Sequence, residues 1–161
     1  MTRFEFVQSK IKEGAELEKQ LAYWRFHNEK IIFTNGCFDL LHPGHIEYLY
    51  KAAELGTILV VGLNSDASVS RLKGKQRPIQ NQLSRATVLA GLECVDMVAI
   101  FEEDTPISLV KQVHPNFLVK GGDYKPEDIV GYQTVKSYGG EILTIPFVEG
   151  FSTSSILQKL G

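Results

Sequence analysis

From Lys30 onward the chain alternates between short apolar runs and longer amphipathic stretches. The apolar runs fall at residues 31–34, 58–63, 95–101, 117–119 and 142–145. They are rich in β-branched residues and nearly free of polar ones, as strands covered on both faces are. Helical spacing fills the intervals at residues 45–55, 81–92, 105–114, 131–138 and 154–160. Strand followed by helix, repeated, predicts a parallel sheet, and right-handed crossovers make it a Rossmann-like, doubly wound α/β sheet of about five strands. The stretch from Ser9 to Asn28 reads differently. It is rich in Lys, Glu, Ala and Leu, with apolar residues at Ile11, Leu17, Leu21, Trp24 and Phe26. It predicts one amphipathic helix, or a pair broken at Gly14. The expected organisation is therefore an N-terminal helical extension over residues 1–29, packed on the outside of a domain over residues 30–161. The extension serves either a homo-oligomer or the capping of the domain.

In an open parallel sheet, ligands bind beyond the carboxyl ends of the strands, near the point where the winding reverses. Chemistry is thus to be sought just after each strand. The first such loop reads Asn35-Gly36-Cys37-Phe38-Asp39-Leu40-Leu41-His42-Pro43-Gly44-His45. It is neither a Walker loop nor a GxGxxG fingerprint. Pro43 suits a first helical turn, and Gly44 removes a side chain where another group could approach. His42 and His45, three apart, share one helical face beside the free N–H groups of a helix start, which favour an anion. Two incidental histidines around a helix cap, or a zinc site, are the competing readings. No third metal ligand stands nearby except Asp39.

Composition narrows the picture. The 161 residues are 43% hydrophobic and 22% charged, which argues against disorder. A formal charge of -2 leaves no whole-domain footprint for nucleic acid. Cys37 and Cys94 are far apart and form no CxxC motif, which fits a reduced, cytoplasmic protein. No apolar run has the length of a membrane span, and the first residues do not read as a signal peptide.

Against that mildly acidic background, residues 71–77 carry Arg71, Lys73, Lys75 and Arg77. With Gly74 and Pro78 they read as a loop, either solvated or a lid over a polyphosphate. Asn81 is a candidate cap for the helix that presents Arg85, a side chain able to hold phosphate bidentately. Lys120-Gly121-Gly122-Asp123 is either an ordinary turn or a close approach to a nucleotide. Ser152, Thr153, Ser154 and Ser155 exceed what one N-cap needs and suggest a second anion cradle. The Glu102-Glu103-Asp104 run reads as the start of the following helix.

His42-Pro43-Gly44-His45 resembles the HxGH signature of the nucleotidyltransferase superfamily. The resemblance extends through residues 34–42, 64–69, 71–74, 77–79, 101–106 and 119–126, in order. Together these strings resemble the D-glycero-β-D-manno-heptose 1-phosphate adenylyltransferase family, over about residues 30 to 160. That resemblance implies transfer of an adenylyl group from ATP to a sugar 1-phosphate, with magnesium carried mainly by the ATP phosphates. It implies no nucleic-acid or membrane partner and no protein metal site. It places His42, His45, Lys73 and Arg85 in catalytic roles. Asn35, Gly36, Cys37, Phe38, Asp39, Lys75, Arg77, Lys120, Gly121, Asp123 and the hydroxyls of residues 152–155 would bind the nucleotide. Related glycerol-phosphate cytidylyltransferases carry Arg three residues before the Gly of the last loop; Phe147 stands there instead. A cytidylyltransferase acting on a polyol phosphate and a non-catalytic nucleotide-binding module are the alternatives.

Overall fold

The computed structural model describes all 161 residues. Five parallel strands, β1 (Ile31–Gly36), β2 (Ile58–Asn64), β3 (Met97–Phe101), β4 (Phe117–Gly121) and β5 (Glu141–Ile145), lie in the order β3-β2-β1-β4-β5. The chain winds outward from β1 to β3, then returns across β1 to build β4 and β5. The winding therefore reverses between β1 and β4. These two strands pair over only two residues, Ile32 with Phe117 and Phe33 with Leu118. By comparison, β1 and β2 pair over six and β4 and β5 over five. The sheet thus parts at the carboxyl edge, where a doubly wound sheet opens its crevice.

Alternate strand residues feed two separate cores. Ile31, Phe33, Val60 and Leu118 pack with Leu109, Val110 and Val113 of α6 (Ile107–Val113), Val135 of α7 (Tyr132–Ser137), and Leu17 and Leu21 of α2 (Gly14–Phe26). Ile32, Leu59, Val61 and Val119 pack with Leu49 and Ala52 of α3 (Pro43–Ala53) and Ala86, Leu89 and Ala90 of α5 (Gln82–Ala90).

The N-terminal segment forms the broken pair. α1 (Arg3–Ser9) opens with a capping box between Thr2 and Glu5, and α2 starts at Gly14, whose φ of +50° glycine adopts without strain. Between them Ile11 bridges Val98 in parallel and shields the β3 edge. Leu17 and Leu21 are buried in the main core, so the extension packs onto the domain through these two side chains while most of α2 stays exposed.

Two local expectations are corrected. Residues 71–73 are not loop: they end α4 (Asp66–Lys73), which Ser65 caps by accepting from the Ser68 N–H at 3.1 Å. The acidic run does not cap a helix, since α6 begins only at Ile107. Instead it braces α4. Arg71 pairs with Asp104 at 2.7 Å, Ser65 donates to Glu102 at 2.9 Å, and Ser68 donates to the Glu103 carbonyl at 2.9 Å.

Candidate active site

The β1–α3 loop owes its shape to Asp39. Its buried carboxylate accepts the backbone N–H groups of Ile79 (2.9 Å) and Gln80 (3.0 Å) and the Nε–H of Arg77 (2.7 Å). Burial pushes the carboxyl pKa up, but these donors together outweigh it and hold the group below its ordinary value. Asp39 therefore organises the loop, tying the 77–80 segment to the end of β1. Arg77 lines the cavity while its Nε is held by this bond.

His42 is the N-cap residue of α3, with Pro43 in the first turn. Its imidazole does not cap. It stacks on that of His45, centroids 3.8 Å apart and planes at 22°. Both Nδ1 atoms are buried without a partner. Burial, reinforced by the neighbouring His42, brings the His45 pKa down to about 4, and burial lowers that of His42 too. The pair is neutral at neutral pH, two polar rings beside a helix N-terminus. Gly44 is required here, because a Cβ would lie 2.9 Å from the His42 ring and 3.2 Å from Phe151.

The hydroxyl-rich turn arrives at the same place. Ser152 caps α8 (Thr153–Leu160) by accepting the Ser155 N–H at 3.0 Å, and the two hydroxyls are 2.7 Å apart. Those two residues behave as an ordinary cap. Thr153 donates to the Leu40 carbonyl at 3.4 Å, and the Phe151 ring lies over His42 with centroids 6.1 Å apart. The histidines and residues 152–154 line one cavity of about 740 Å³ at the carboxyl edge of the sheet.

Of the residues singled out in the sequence, Asn35, Gly36, Cys37, Phe38 and Asp39 line this cavity, as do Lys73, Arg77, Lys120 and Gly121. Burial pushes the Cys37 thiol up, so it sits there as an uncharged spacer. Lys75, Asp123 and Ser155 are exposed and lie outside the lining. Arg85 is also outside it. Its side chain is fully buried behind the wall, donating to the carbonyls of Cys37 (2.7 Å), Asn64 (2.9 Å) and Gln80 (3.0 Å) and to Asp66 (2.8 Å). Arg85 clamps the ends of β1 and β2 to the start of α5, a corrected placement for a residue expected at the phosphates.

Sequence reasoning passed over Asn64, Tyr48, Thr105 and Asp128, which also line the cavity. Asn64 ends β2 and Thr105 follows β3, where the carboxyl-edge rule directs attention. Tyr48 carried no such signal. It lies one turn into α3, where its hydroxyl meets Thr34 Oγ1 at 2.6 Å and donates to the Val119 carbonyl at 3.2 Å.

A doubly wound parallel sheet with a crevice at its winding reversal defines a Rossmann-like α/β protein. The chain belongs to the Cytidylyltransferase-like family, whose pattern matches residues 33–159. It is 54% identical over 156 residues to the Bifunctional protein HldE of Nitrobacter winogradskyi and 51% identical over 152 residues to that of Trichlorobacter lovleyi. Those alignments cover 96% and 94% of this chain but 32% and 31% of the relatives. The chain thus spans about a third of the length of these curated relatives. Among solved structures, the lipopolysaccharide core biosynthesis protein from Thermoplasma volcanium GSS1 superposes with a TM-score of 0.62 at 28% identity, covering 74% of this chain and 97% of that one. A pantoate-beta-alanine ligase from Francisella tularensis, at 19% identity and a TM-score of 0.55, shares the fold and covers 91% of this chain and 75% of that one. No helix is long and apolar enough to cross a membrane.

Proposed function

We propose that this chain transfers the adenylyl group of ATP to D-glycero-β-D-manno-heptose 1-phosphate, giving ADP-heptose and pyrophosphate. The observation that carries the reading is the convergence of the stacked His42–His45 pair and the 152–154 turn on one cavity. Its sugar-phosphate branch rests on the strings beyond HxGH and on the HldE relatives. The nucleophile is a phosphate oxygen of the sugar phosphate, already anionic at neutral pH because its second pKa is about 6. It forms a bond to the α-phosphorus as the bond to the β-phosphate oxygen breaks, and pyrophosphate leaves with the electron pair. No general base and no covalent intermediate are needed.

Positioning and charge neutralisation then supply the catalysis. His42 and His45 donate to the α- and β-phosphate oxygens. Lys73 and Arg77 reach the leaving pyrophosphate, with Lys75 arriving from the exposed turn. Thr153 and Ser154 hold its distal end, and the 120–123 loop faces the nucleoside. Arg85 acts as a positioning residue, holding the Cys37 and Asn64 carbonyls in place.

Magnesium suits this site as an ion carried on phosphate oxygens. Three nearby carboxylates are engaged, Asp39 by Arg77, Asp104 by Arg71 and Asp66 by Arg85, so few protein ligands are left to it. When bound it adds charge neutralisation at the phosphates. The reaction belongs in the cytoplasm, where ATP is the abundant donor.

The test is pyrophosphate release with ATP or CTP against a panel of sugar and polyol phosphates. ATP with heptose 1-phosphate is the expected pair. Preference for CTP with glycerol 3-phosphate would reassign the chain, and nucleotide binding without release would make it a binding module.

A further inference from the structure

The two faces of the sheet present different chemistry to the crevice. The histidines approach from α3, which packs on the face of Val119. Lys120 is next along β4, so strand alternation turns it to the opposite face, that of Leu118 and α6. The neighbours agree with this alternation. A Cβ on Gly121 would meet the Tyr48 ring of α3 at 3.3 Å. Two residues beyond the Phe33–Leu118 pair, Asn35 and Lys120 are the last side chains on the α6 face of the parting strands. Each lines the cavity, and neither side chain makes a hydrogen bond or ion pair within the protein. A half-buried ammonium with no carboxylate is costly unless an anion meets it. Burial already pulls the Lys120 pKa below its ordinary value.

The rest of that side of the cavity carries no cation from β4 to α6. It offers Thr105 and Pro106 at the start of α6, and Asp128, Ile129 and Val130 ahead of α7. Asp128 is exposed and unpaired, unlike Asp39 and Asp104. A free carboxylate repels phosphate but accepts from sugar hydroxyls, and the Thr105 hydroxyl beside it can donate to or accept from the same hydroxyls. Ile129 and Val130 supply apolar surface for the C–H face of a sugar.

From this division we infer that the α6 face of the crevice is the acceptor subsite. Lys120, beside Asn35, grips the phosphate of the acceptor and aims it at the α-phosphorus, and Asp128 and Thr105 read the hydroxyls of its polyol body. The acceptor class is a phosphomonoester on a polyhydroxylated, otherwise uncharged body. This reassigns Lys120 from the nucleotide to the nucleophile, and it rests on the adenylyl-transfer reading above.

Two variants test the subsite. Lys120→Met keeps the stem and removes the charge; Asp128→Asn alters an exposed side chain that the fold does not use. With ATP saturating, KM for heptose 1-phosphate should rise about 10- to 100-fold in Lys120→Met, as for loss of one charge-assisted bond. In Asp128→Asn it should rise several-fold. ATP affinity measured calorimetrically without acceptor should stay within about twofold in both. Equal weakening of ATP in Lys120→Met would return the residue to the nucleotide, and an unchanged acceptor KM would overturn the subsite. Should Lys120→Met not fold, Asp128→Asn decides by the same split. Absence of turnover by the wild-type chain with every sugar phosphate would instead overturn the adenylyl-transfer reading and take the subsite with it.

Discussion

The imidazoles of His42 and His45 lie face to face, 3.8 Å between centroids, and each buries an Nδ1 that no protein group meets. Two rings so close cannot both be charged without a counter-anion. A polyphosphate is such an anion, and neutral imidazole N–H groups reach it without first shedding a charge's hydration. On the proposed reaction, His45→Ala should lower turnover roughly 10²- to 10³-fold, the loss expected when one transition-state donor worth about 3–4 kcal/mol is removed. Circular dichroism and thermal melting should show the fold retained. Turnover close to wild type would take the pair out of the chemistry.

The same pair fixes a pH dependence. The folded His45 pKa of about 4 lies below that of a free histidine, near 6.5 in an unfolded chain. Between those values the unfolded chain binds a proton that the folded chain excludes. Folding stability is therefore complete above about pH 6.5 and falls as the pH drops toward 4. A series of melting curves across this window should show the fall, and His45→Gln should flatten it. An anion at the rings reverses the preference. ATP binding near pH 5.5 should take up protons, seen as a calorimetric enthalpy that varies with the ionisation heat of the buffer. A buffer-independent enthalpy would separate the histidines from the phosphates.

Much of this architecture is written locally. Runs such as 58–63 are apolar on both faces, and only a sheet covered on both sides buries them. Asn81, Ser152 and Pro43 announce helix starts through groups that the backbone itself requires. The conjunction of HxGH and the hydroxyl turn was legible because both are short, helix-opening segments placed after strands. What stayed hidden depends on distant partners. The end of α4 at residues 71–73 reads as loop because Gly74 and Pro78 follow it, whereas the helix is braced by Asp104, Glu102 and Glu103, about 35 positions away from the residues they hold. Asp39 shows no local sign that it would collect the N–H groups of Ile79 and Gln80. Arg85 is expected at the phosphates by resemblance, and spacing alone does not tell a fully buried guanidinium from a surface one.

Asp39 offers a prediction about the loop itself. Asp39→Ala leaves the Ile79 and Gln80 N–H groups and the Arg77 guanidinium without their acceptor. Urea denaturation should show a loss of about 2–3 kcal/mol, the range for hydrogen bonds to a buried charged acceptor. The wild-type carboxyl is held below its ordinary value, so its contribution is present above the unfolded pKa, about 3.9, and is lost as pH falls through the folded one. That window lies below the His45 window, and the two are separable in one titration. Unchanged stability in Asp39→Ala would mean that the 77–80 segment does not depend on this anchor.

The last contrast concerns two cations that look alike in the sequence. Lys73 ends α4 at the cavity with its amine exposed and unpaired. Arg85 is sealed behind the wall with four hydrogen bonds to protein. On the proposed reaction, Lys73→Met takes a charge away from the phosphates and nothing from the core. Turnover should fall at least tenfold while the urea midpoint stays put. Arg85→Met strands three carbonyls and Asp66, so it should cost about 3–5 kcal/mol of stability, as when a buried ion pair loses one partner. Arg85→Lys keeps the charge but not the planar fork that reaches several oxygens at once, and should recover only part of the loss. In the fraction of Arg85→Lys that stays folded, assayed at low temperature, turnover should remain within several-fold of wild type. A variant at Arg85 that lost turnover yet kept full stability would return that guanidinium to the phosphates.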